Sequence, residues 1–322
     1  MILLWRITTR CNFSCGFCAY DQRLAIPRMS VDPDQVERIA HLAAHHASAR
    51  GERLLLSWLG GEPLLWPPLL DLSERLAREP GIGLSMTSNG TRLHQAQTRR
   101  RILDSFSELT LSLDGPAALH DHLRGASGSF DQVRTAIMAL ARERQEQGAR
   151  IKLRVNSILM RDTLPHFAAL CAMLAEWGVD EITFNQLGGR DRPEFYPGQR
   201  LLPADAARLA ALVPEVRARL ADQGVNLCAS PTYLRRIEAS SAGEPLTVAD
   251  CGPGEAFIFV DEQGRAGPCS FTLDDFGVPL SEIRTSADFA ALPARLRAAR
   301  AAAPVPVCGD CPSTQQFGKF AA

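Results

Sequence analysis

Short apolar runs alternate, over the first two thirds of the chain, with longer stretches whose apolar residues recur every three or four positions. The runs ILLWRIT (2–8), RLLLSWL (53–59), IGLSMTS (82–88), ELTLSLD (108–114), IKLRVNSIL (151–159) and EITFNQL (181–187) predict strands. Between them, 32–47, 67–78, 94–106, 131–148 and 164–178 carry the helical period. This alternation predicts an α/β fold with a parallel sheet and right-handed crossovers, its six units forming a barrel, complete or open. A further helix is predicted over 203–224, and from about Val225 the texture changes. Short β-like pieces follow, FIFVDEQGRAGPCSF above all, then the Ala/Arg-rich stretch DFAALPARLRAARAAA, read as a solvated helix, and a Cys-bearing tail. The expected division is a barrel over 1–224 and a smaller α+β domain over 225–322.

Composition changes this picture little. A chain of 322 residues, 46% of them apolar, has enough core for one large unit and one small one. Lys plus Arg (35) nearly balances Asp plus Glu (36), so no overall field draws the chain to nucleic acid or to an anionic membrane. MILLWRITTR carries Arg6 inside its apolar run and lacks a basic start or a cleavage site, which predicts a strand and not a secretion signal. No run approaches the roughly 20 apolar residues that span a bilayer. The expected location is the cytoplasm, where nine cysteines are better read as metal ligands than as disulfides.

The candidate chemistry falls at strand ends, where a parallel β/α barrel carries its active site. Cys11, Cys15 and Cys18 follow the first strand in RCNFSCGFCAY. Gly60, Gly61, Glu62 and Pro63 follow the second, and their paired glycines let the backbone approach a ligand closely. TSNG (87–90) ends the third and SLDG (112–115) the fourth. Alone, C-x3-C-x2-C allows a zinc site missing a ligand, part of a redox pair, or an iron–sulfur cube with one open iron. Asn89-Gly90 reads as an ordinary turn, Arg124 as solvated, His120 and His122 as surface residues, and His41, His45 and His46 as structural.

C-x3-C-x2-C after strand one, GGEP after strand two, and HDHLRGASGSFDQV (120–133) further on together resemble the radical S-adenosylmethionine enzymes, in their peptide- and natural-product-modifying branch. The resemblance spans about residues 2–187 and implies an open (β/α)6 partial TIM barrel. It also implies that Cys11, Cys15 and Cys18 are the catalytic cysteines, holding a [4Fe–4S] cluster whose open iron takes S-adenosylmethionine. Carried over residue by residue, the cofactor contacts are Gly60, Gly61, Glu62, Pro63, Ser112, Asn156 and Phe17, the last against the adenine edge. An electron donor such as flavodoxin or ferredoxin is implied as a partner.

A second cysteine set reads Cys251-x12-Gly264-x4-Cys269, then Cys308-x2-Cys311. Its spacing allows zinc or an iron–sulfur cube. The pattern is similar to the start of the SPASM extension but stops early, as in the Twitch domain, which implies one auxiliary [4Fe–4S] cluster and two clusters in all. Cys171 and Cys228 read as buried packing residues. The expected function is an oxidoreductase-type radical enzyme that oxidatively modifies a peptide or peptide-like natural-product precursor, helped by a separate leader-binding protein. The alternatives are the same chemistry on a free small molecule, an amino-sugar or nucleoside, and a non-catalytic cluster-binding scaffold.

Overall fold

The computed structural model describes residues 1–189 and 192–320. Six parallel strands form the frame: β1 (Ile2–Thr8), β2 (Leu54–Gly60), β3 (Ile82–Ser88), β4 (Glu108–Ser112), β5 (Lys152–Leu159) and β6 (Glu181–Gln186). They lie in chain order, each within a residue or two of the run that predicted it. Helices α1 (Pro33–Ala49), α2 (Leu69–Ala77), α3 (Ala96–Ser105), α4 (Ala117–Arg124), α5 (Ser129–Gln147) and α6 (Phe167–Glu176) make the crossovers. The strand period decides the layering. On β1, Leu3, Trp5 and Ile7 are fully buried, and the alternate residues Leu4, Arg6 and Thr8 stand on the other face, the lumen of an open barrel. Helix α4 was not foreseen: its eight residues carry two His and an Arg, and three of them are buried.

Past a single turn, α7 (Tyr196–Gln199), helix α8 (Pro203–Ala221) leads to a two-residue strand, β7 (Asn226–Leu227), which pairs in parallel with β6. Helix α9 (Pro231–Ala242) follows. The chain then returns to the opposite edge, where β8 (Phe257–Val260) runs parallel to β1. Next to it β9 (Arg265–Gly267) and β10 (Val278–Pro279) continue antiparallel, with the turn α10 (Leu273–Phe276) between them. The sheet is therefore continuous from β10 to β7, running through the position near residue 225 where the texture of the sequence changes. Helix α11 (Ser286–Ala302) and the short α12 (Pro306–Gly309) complete the chain.

The Ala/Arg-rich α11 is only half solvated. Phe289, Leu292 and Leu296 are buried, and the Phe289 ring lies 5.6 Å from that of His46 on α1, which gives this histidine the structural role expected of it. Thr285 and Asp288 close a reciprocal cap at the start of α11. No helix among the described residues is long and apolar enough to cross a membrane. Because Phe289 is 1% exposed, Phe289→Ala is expected to cost about 3 kcal/mol of stability, read as a lower midpoint in denaturant unfolding.

Candidate active site

The three clustered cysteines lie on the loop that leaves β1 at the C-terminal end of the barrel, Cys15 buried and Cys11 and Cys18 partly so. Apart from a single bridge at Ser30 the loop has no regular structure between Thr9 and Asp32, so its shape comes from tethers. Arg28 is the internal one. Its guanidinium donates to the carbonyls of Thr9, Tyr20, Asp21 and Leu24 at 2.7–3.1 Å. Asp21, 1% exposed, accepts from Arg23 and Arg192, and the Arg23 bonds hold its carboxyl well below the usual range.

The remaining tethers come from neighbouring strand ends. From β2, the N–H groups of Gly61 and Glu62 donate to Thr8 O and Arg10 O, both at 2.8 Å. A Cβ on Gly61 would stand 2.2 Å from Arg10 O and 3.0 Å from the Cys11 Cβ, and one on Gly60, at φ 153°, would stand 2.3 Å from Thr8 O. The paired glycines thus let β2 approach the cysteine loop itself, and with the Gly61 and Glu62 N–H groups used on that loop the carbonyl oxygens are what the motif has left to offer an ammonium group. The fully buried Glu62 carboxylate accepts from Ser88 Oγ (2.8 Å), Asn89 N (2.7 Å) and Leu64 N (3.2 Å), tying β2 to β3, while burial raises its pKa to about 7. Asn89 then donates to Asn12 Oδ1 at 2.9 Å. The turn residue of TSNG is a tether of the loop.

The end of β4 makes the last connection. Asp114 accepts from Arg124 Nε (2.7 Å) and Ile158 N (2.8 Å), and Arg124 O accepts from Ser14 N (3.1 Å). Far from being solvated, Arg124 is buried, its guanidinium 5.3 Å from the Phe17 ring centroid, and the neighbouring charges of Asp114 and the thiols outweigh burial and raise its pKa. His120 is likewise internal, with no exposed surface. Its Nδ1 accepts from Asp114 N, and burial lowers its pKa to about 4, so at neutral pH it is the uncharged ring that packs against Phe130. Burial also pushes Cys11 and Cys15 up to about 11, leaving free thiols that must shed protons to bind a metal.

Below the loop the lumen is layered by strand register. Ser112, Asn156 and Thr183 form one layer, Ile158 and Asn185 the layer above, and Thr110, Arg154 and Glu181 the layer beneath. Above them opens a cavity of about 690 Å³, whose wall includes Phe17, Cys18, Leu59, Phe257, Phe259 and Cys269. Residues Asn185 and Gln186 also line this wall, and Asn185 Oδ1 and Gln186 Nε2 are buried without a hydrogen-bond partner among the described residues.

Cys251, Cys269, Cys308 and Cys311 line a second, smaller cavity together with Phe271, Phe276 and Arg300. Arg300 Nη1 stands 3.4 Å from Cys251 Sγ, and Cys269 Sγ lies 3.3 Å from Thr272 Oγ1. The four thiols share this cavity without converging on a point; among the described residues no three metal-binding side chains gather closely enough to hold a single ion. Burial raises Cys251 and Cys311, and each is raised further by the neighbouring thiols. Cys171 lies on the buried face of α6, as read from its sequence context, and Cys228 is buried at the barrel floor, its thiol pushed up to about 12.

The model of the radical S-adenosylmethionine (SAM) superfamily matches residues 5–149. The GTP 3',8-cyclase 1 of Pseudomonas aeruginosa is 31% identical over 241 residues, covering 72% of this chain and 67% of that protein. The chain belongs to the radical S-adenosylmethionine superfamily. A more distant relative is the AdoMet-dependent heme synthase of Oleidesulfovibrio alaskensis, 24% identical over 86% of this chain and 71% of the relative. Two solved structures share the fold. Streptococcus suis SuiB bound to its precursor peptide SuiA superposes with a TM-score of 0.69 at 18% identity, covering all of this chain and 71% of that one. For anSMEcpe with bound AdoMet the TM-score is 0.67 at 17% identity, covering 99% of this chain and 88% of that one.

Membership implies a [4Fe–4S] cluster and S-adenosylmethionine, and the donor set at the end of β1 fits them. Three thiols on one tethered loop suit an iron–sulfur cube, and carbonyl oxygens beside them suit an ammonium group. The tethers Arg28, Asn12 and Asn89 carried no signal in the sequence beyond ordinary loop composition. Gly61→Val should lift the loop at Arg10 and Cys11, so the purified variant is expected to reconstitute with less iron and labile sulfide per chain than the wild type. Equal iron loading would show that the loop tolerates the displacement.

Proposed function

We propose that this radical S-adenosylmethionine enzyme oxidatively modifies a peptide or peptide-like precursor, and that it does so between two iron–sulfur clusters. In this reading Cys11, Cys15 and Cys18 hold the cluster that binds the cofactor, and Cys251, Cys269, Cys308 and Cys311 hold an auxiliary one in a C-terminal domain of the Twitch type beginning near residue 225. When bound, the first cluster and S-adenosylmethionine supply a 5′-deoxyadenosyl radical, which removes a hydrogen atom from an unactivated carbon. The single observation that carries the reading is the 690 Å³ cavity whose wall contains both Cys18 and Cys269, so that a substrate held there lies between the two sets of thiols. An electron acceptor on the far side suits a reaction that ends by oxidising a substrate radical.

The protein's own groups have distinct parts in this arrangement. The carbonyls of Gly60 and Gly61 face the amino group of the cofactor's methionine end, and Glu62 and Pro63 shape the turn. Ser112 and Asn156 reach the cofactor from the layer below, and Phe17, braced by Arg124, forms an aromatic wall for its adenine. The side-chain amides of Asn185 and Gln186 belong to residues that line the cavity, which favours a peptide among substrates that fit a cavity of this size. A second reading is the same chemistry on a free nucleoside or related small molecule; the 31% identity to a GTP 3',8-cyclase favours it. A ferredoxin or flavodoxin as electron donor and a separate leader-binding protein belong to the first reading.

Changing Cys11, Cys15 and Cys18 together to Ala is expected to abolish 5′-deoxyadenosine formation by the reduced protein and to lower iron by about half, four irons being lost of eight. Cys308→Ala with Cys311→Ala is expected to leave that cleavage measurable while the oxidised product disappears, with thermal unfolding followed alongside. Stimulation of cleavage by synthetic precursor peptides, and not by nucleosides, supports the first reading; the reverse pattern selects the second. Tightly bound zinc and no iron at the second cysteine set, in protein prepared without oxygen, would remove the auxiliary cluster.

A further inference from the structure

The C-terminal tail passes from the second cysteine set into the floor of the barrel. Pro312 O accepts from Arg236 at 2.9 Å, the Phe317 ring lies under the same guanidinium, and Phe317 O accepts from Ser230 Oγ at 3.2 Å. Gly318, at φ 68°, turns the chain inward. Phe320 then lays its ring 5.1 Å from the Arg154 guanidinium, and the Lys319 side chain, 7% exposed, enters the lumen.

Lys319 is an unusual group to bury there. In the lowest lumen layers Arg154 and Lys152 are both paired with Glu108 and Glu181, so these two carboxylates are already taken by two cations. Among the described residues no carboxylate lies within ion-pair distance of Lys319. Its one hydrogen bond among the described residues is to a neutral acceptor, Asn156 Oδ1, at 2.8 Å. Burial first, then repulsion from Arg154, lowers its pKa to about 7. Charged or neutral, Nζ retains an N–H to donate.

The consequence falls on Asn156. Its Oδ1 accepts from Lys319 Nζ and from Thr183 Oγ1 (3.0 Å), and two donors on one oxygen fix which end of the amide faces which way. The donor end, Nδ2, has no protein acceptor among the described residues, and neither has the hydroxyl of Ser112 beside it in the same layer. We infer that Lys319 is a positioning residue for the cofactor site: the tail reaches through the barrel floor to orient Asn156 so that its amide N–H groups, with the Ser112 hydroxyl, are presented to S-adenosylmethionine. The inference rests on the proposed contact between Asn156 and the cofactor, and it makes the last residues of the chain a working part of the barrel's ligand site.

The test uses the full-length, anaerobically reconstituted protein and equilibrium binding of S-adenosylmethionine itself. Lys319→Met keeps an unbranched side chain, one atom shorter, and removes the donor. It is expected to weaken binding about threefold to tenfold, the range spanned by one hydrogen bond, with iron content unchanged. Asn156→Ala is expected to weaken binding on its own, and adding Lys319→Met to it should change affinity less than twofold, because the lysine acts through the amide it orients. Wild-type affinity in Lys319→Met or in Asn156→Ala, or an undiminished lysine effect in the Asn156→Ala background, would overturn the inference. So would loss of iron with unchanged affinity per loaded chain, which marks a purely structural lysine. A wild-type protein that does not bind S-adenosylmethionine would instead overturn the cofactor assignment beneath it.

Discussion

A loop that carries three thiols and almost no regular structure has to be held from outside, and the rest of the barrel's upper end is arranged to do that. The ends of β2 and β3 and of helix α4 each contribute a connection: backbone N–H groups from Gly61 and Glu62, the Asn89 amide, and the Arg124 carbonyl. Two buried carboxylates link these connections to one another, Glu62 between β2 and β3 and Asp114 between β4, α4 and β5. Buried carboxylates are costly unless every lone pair is used, and both accept several donors. A change at either therefore acts on more than one strand end. Since the thiols are protonated when free, a loop already in place spares metal binding most of the ordering cost that a flexible one would add.

The lumen obeys a second constraint. A barrel interior that must admit a polar cofactor cannot be filled with aliphatic side chains, yet every polar group left there needs a partner. The lowest layers meet this need with the network of Lys152 and Arg154 with Glu108 and Glu181, where the Phe320 ring lies against the Arg154 guanidinium. The middle layer, Ser112, Asn156 and Thr183, is only partly satisfied by the protein, and the upper layer holds the orphaned Asn185 Oδ1. Satisfaction thus declines from floor to mouth. That gradient is what a ligand site requires, because unpaired groups positioned by paired ones gain most when a ligand supplies the missing bonds.

Much of this was legible in the chain, and for identifiable reasons. Strand boundaries were, because period-two burial on one face and ligand-facing residues on the other leave a strong pattern in runs such as ILLWRIT and IGLSMTS. The placing of the three cysteines and of GGEP at neighbouring strand ends was, because the strands themselves were legible and close backbone approach restricts residue type at Gly60 and Gly61. Arg124 and His120 were misplaced at the surface because charged and polar residues on a short helix look solvated; what buries them is Asp114, a partner that only the tertiary fold supplies. For the glycines, tertiary neighbours decide the partner as well. Gly60 and Gly61 do permit close approach, but which backbone approaches is decided by β1 and β2 being neighbours in the sheet. Arg28 and Lys319 left no signal, since a single long cation that reaches across the fold has no periodicity.

The sheet also sets how the two cysteine groups relate. β1 carries the first group at its C-terminal end, and its other edge pairs in parallel with β8, from Ile2 opposite Phe257 to Trp5 opposite Val260. Cys251 lies a few residues before β8, and Cys269 follows directly on β9, the next strand over. Cys251 and Cys269 of the second group are therefore tied through the ladder to the strand that carries the first, and the cavity whose wall holds Cys18 and Cys269 has strand residues Phe257 and Phe259 of β8 in that wall. In the proposed reading electron transfer across a substrate would depend steeply on the separation of the two cysteine groups, and a separation set by backbone register is insensitive to side-chain motion. Substrates of different shape would then leave that separation unchanged, which suits a fold whose relatives include a GTP 3',8-cyclase and an AdoMet-dependent heme synthase.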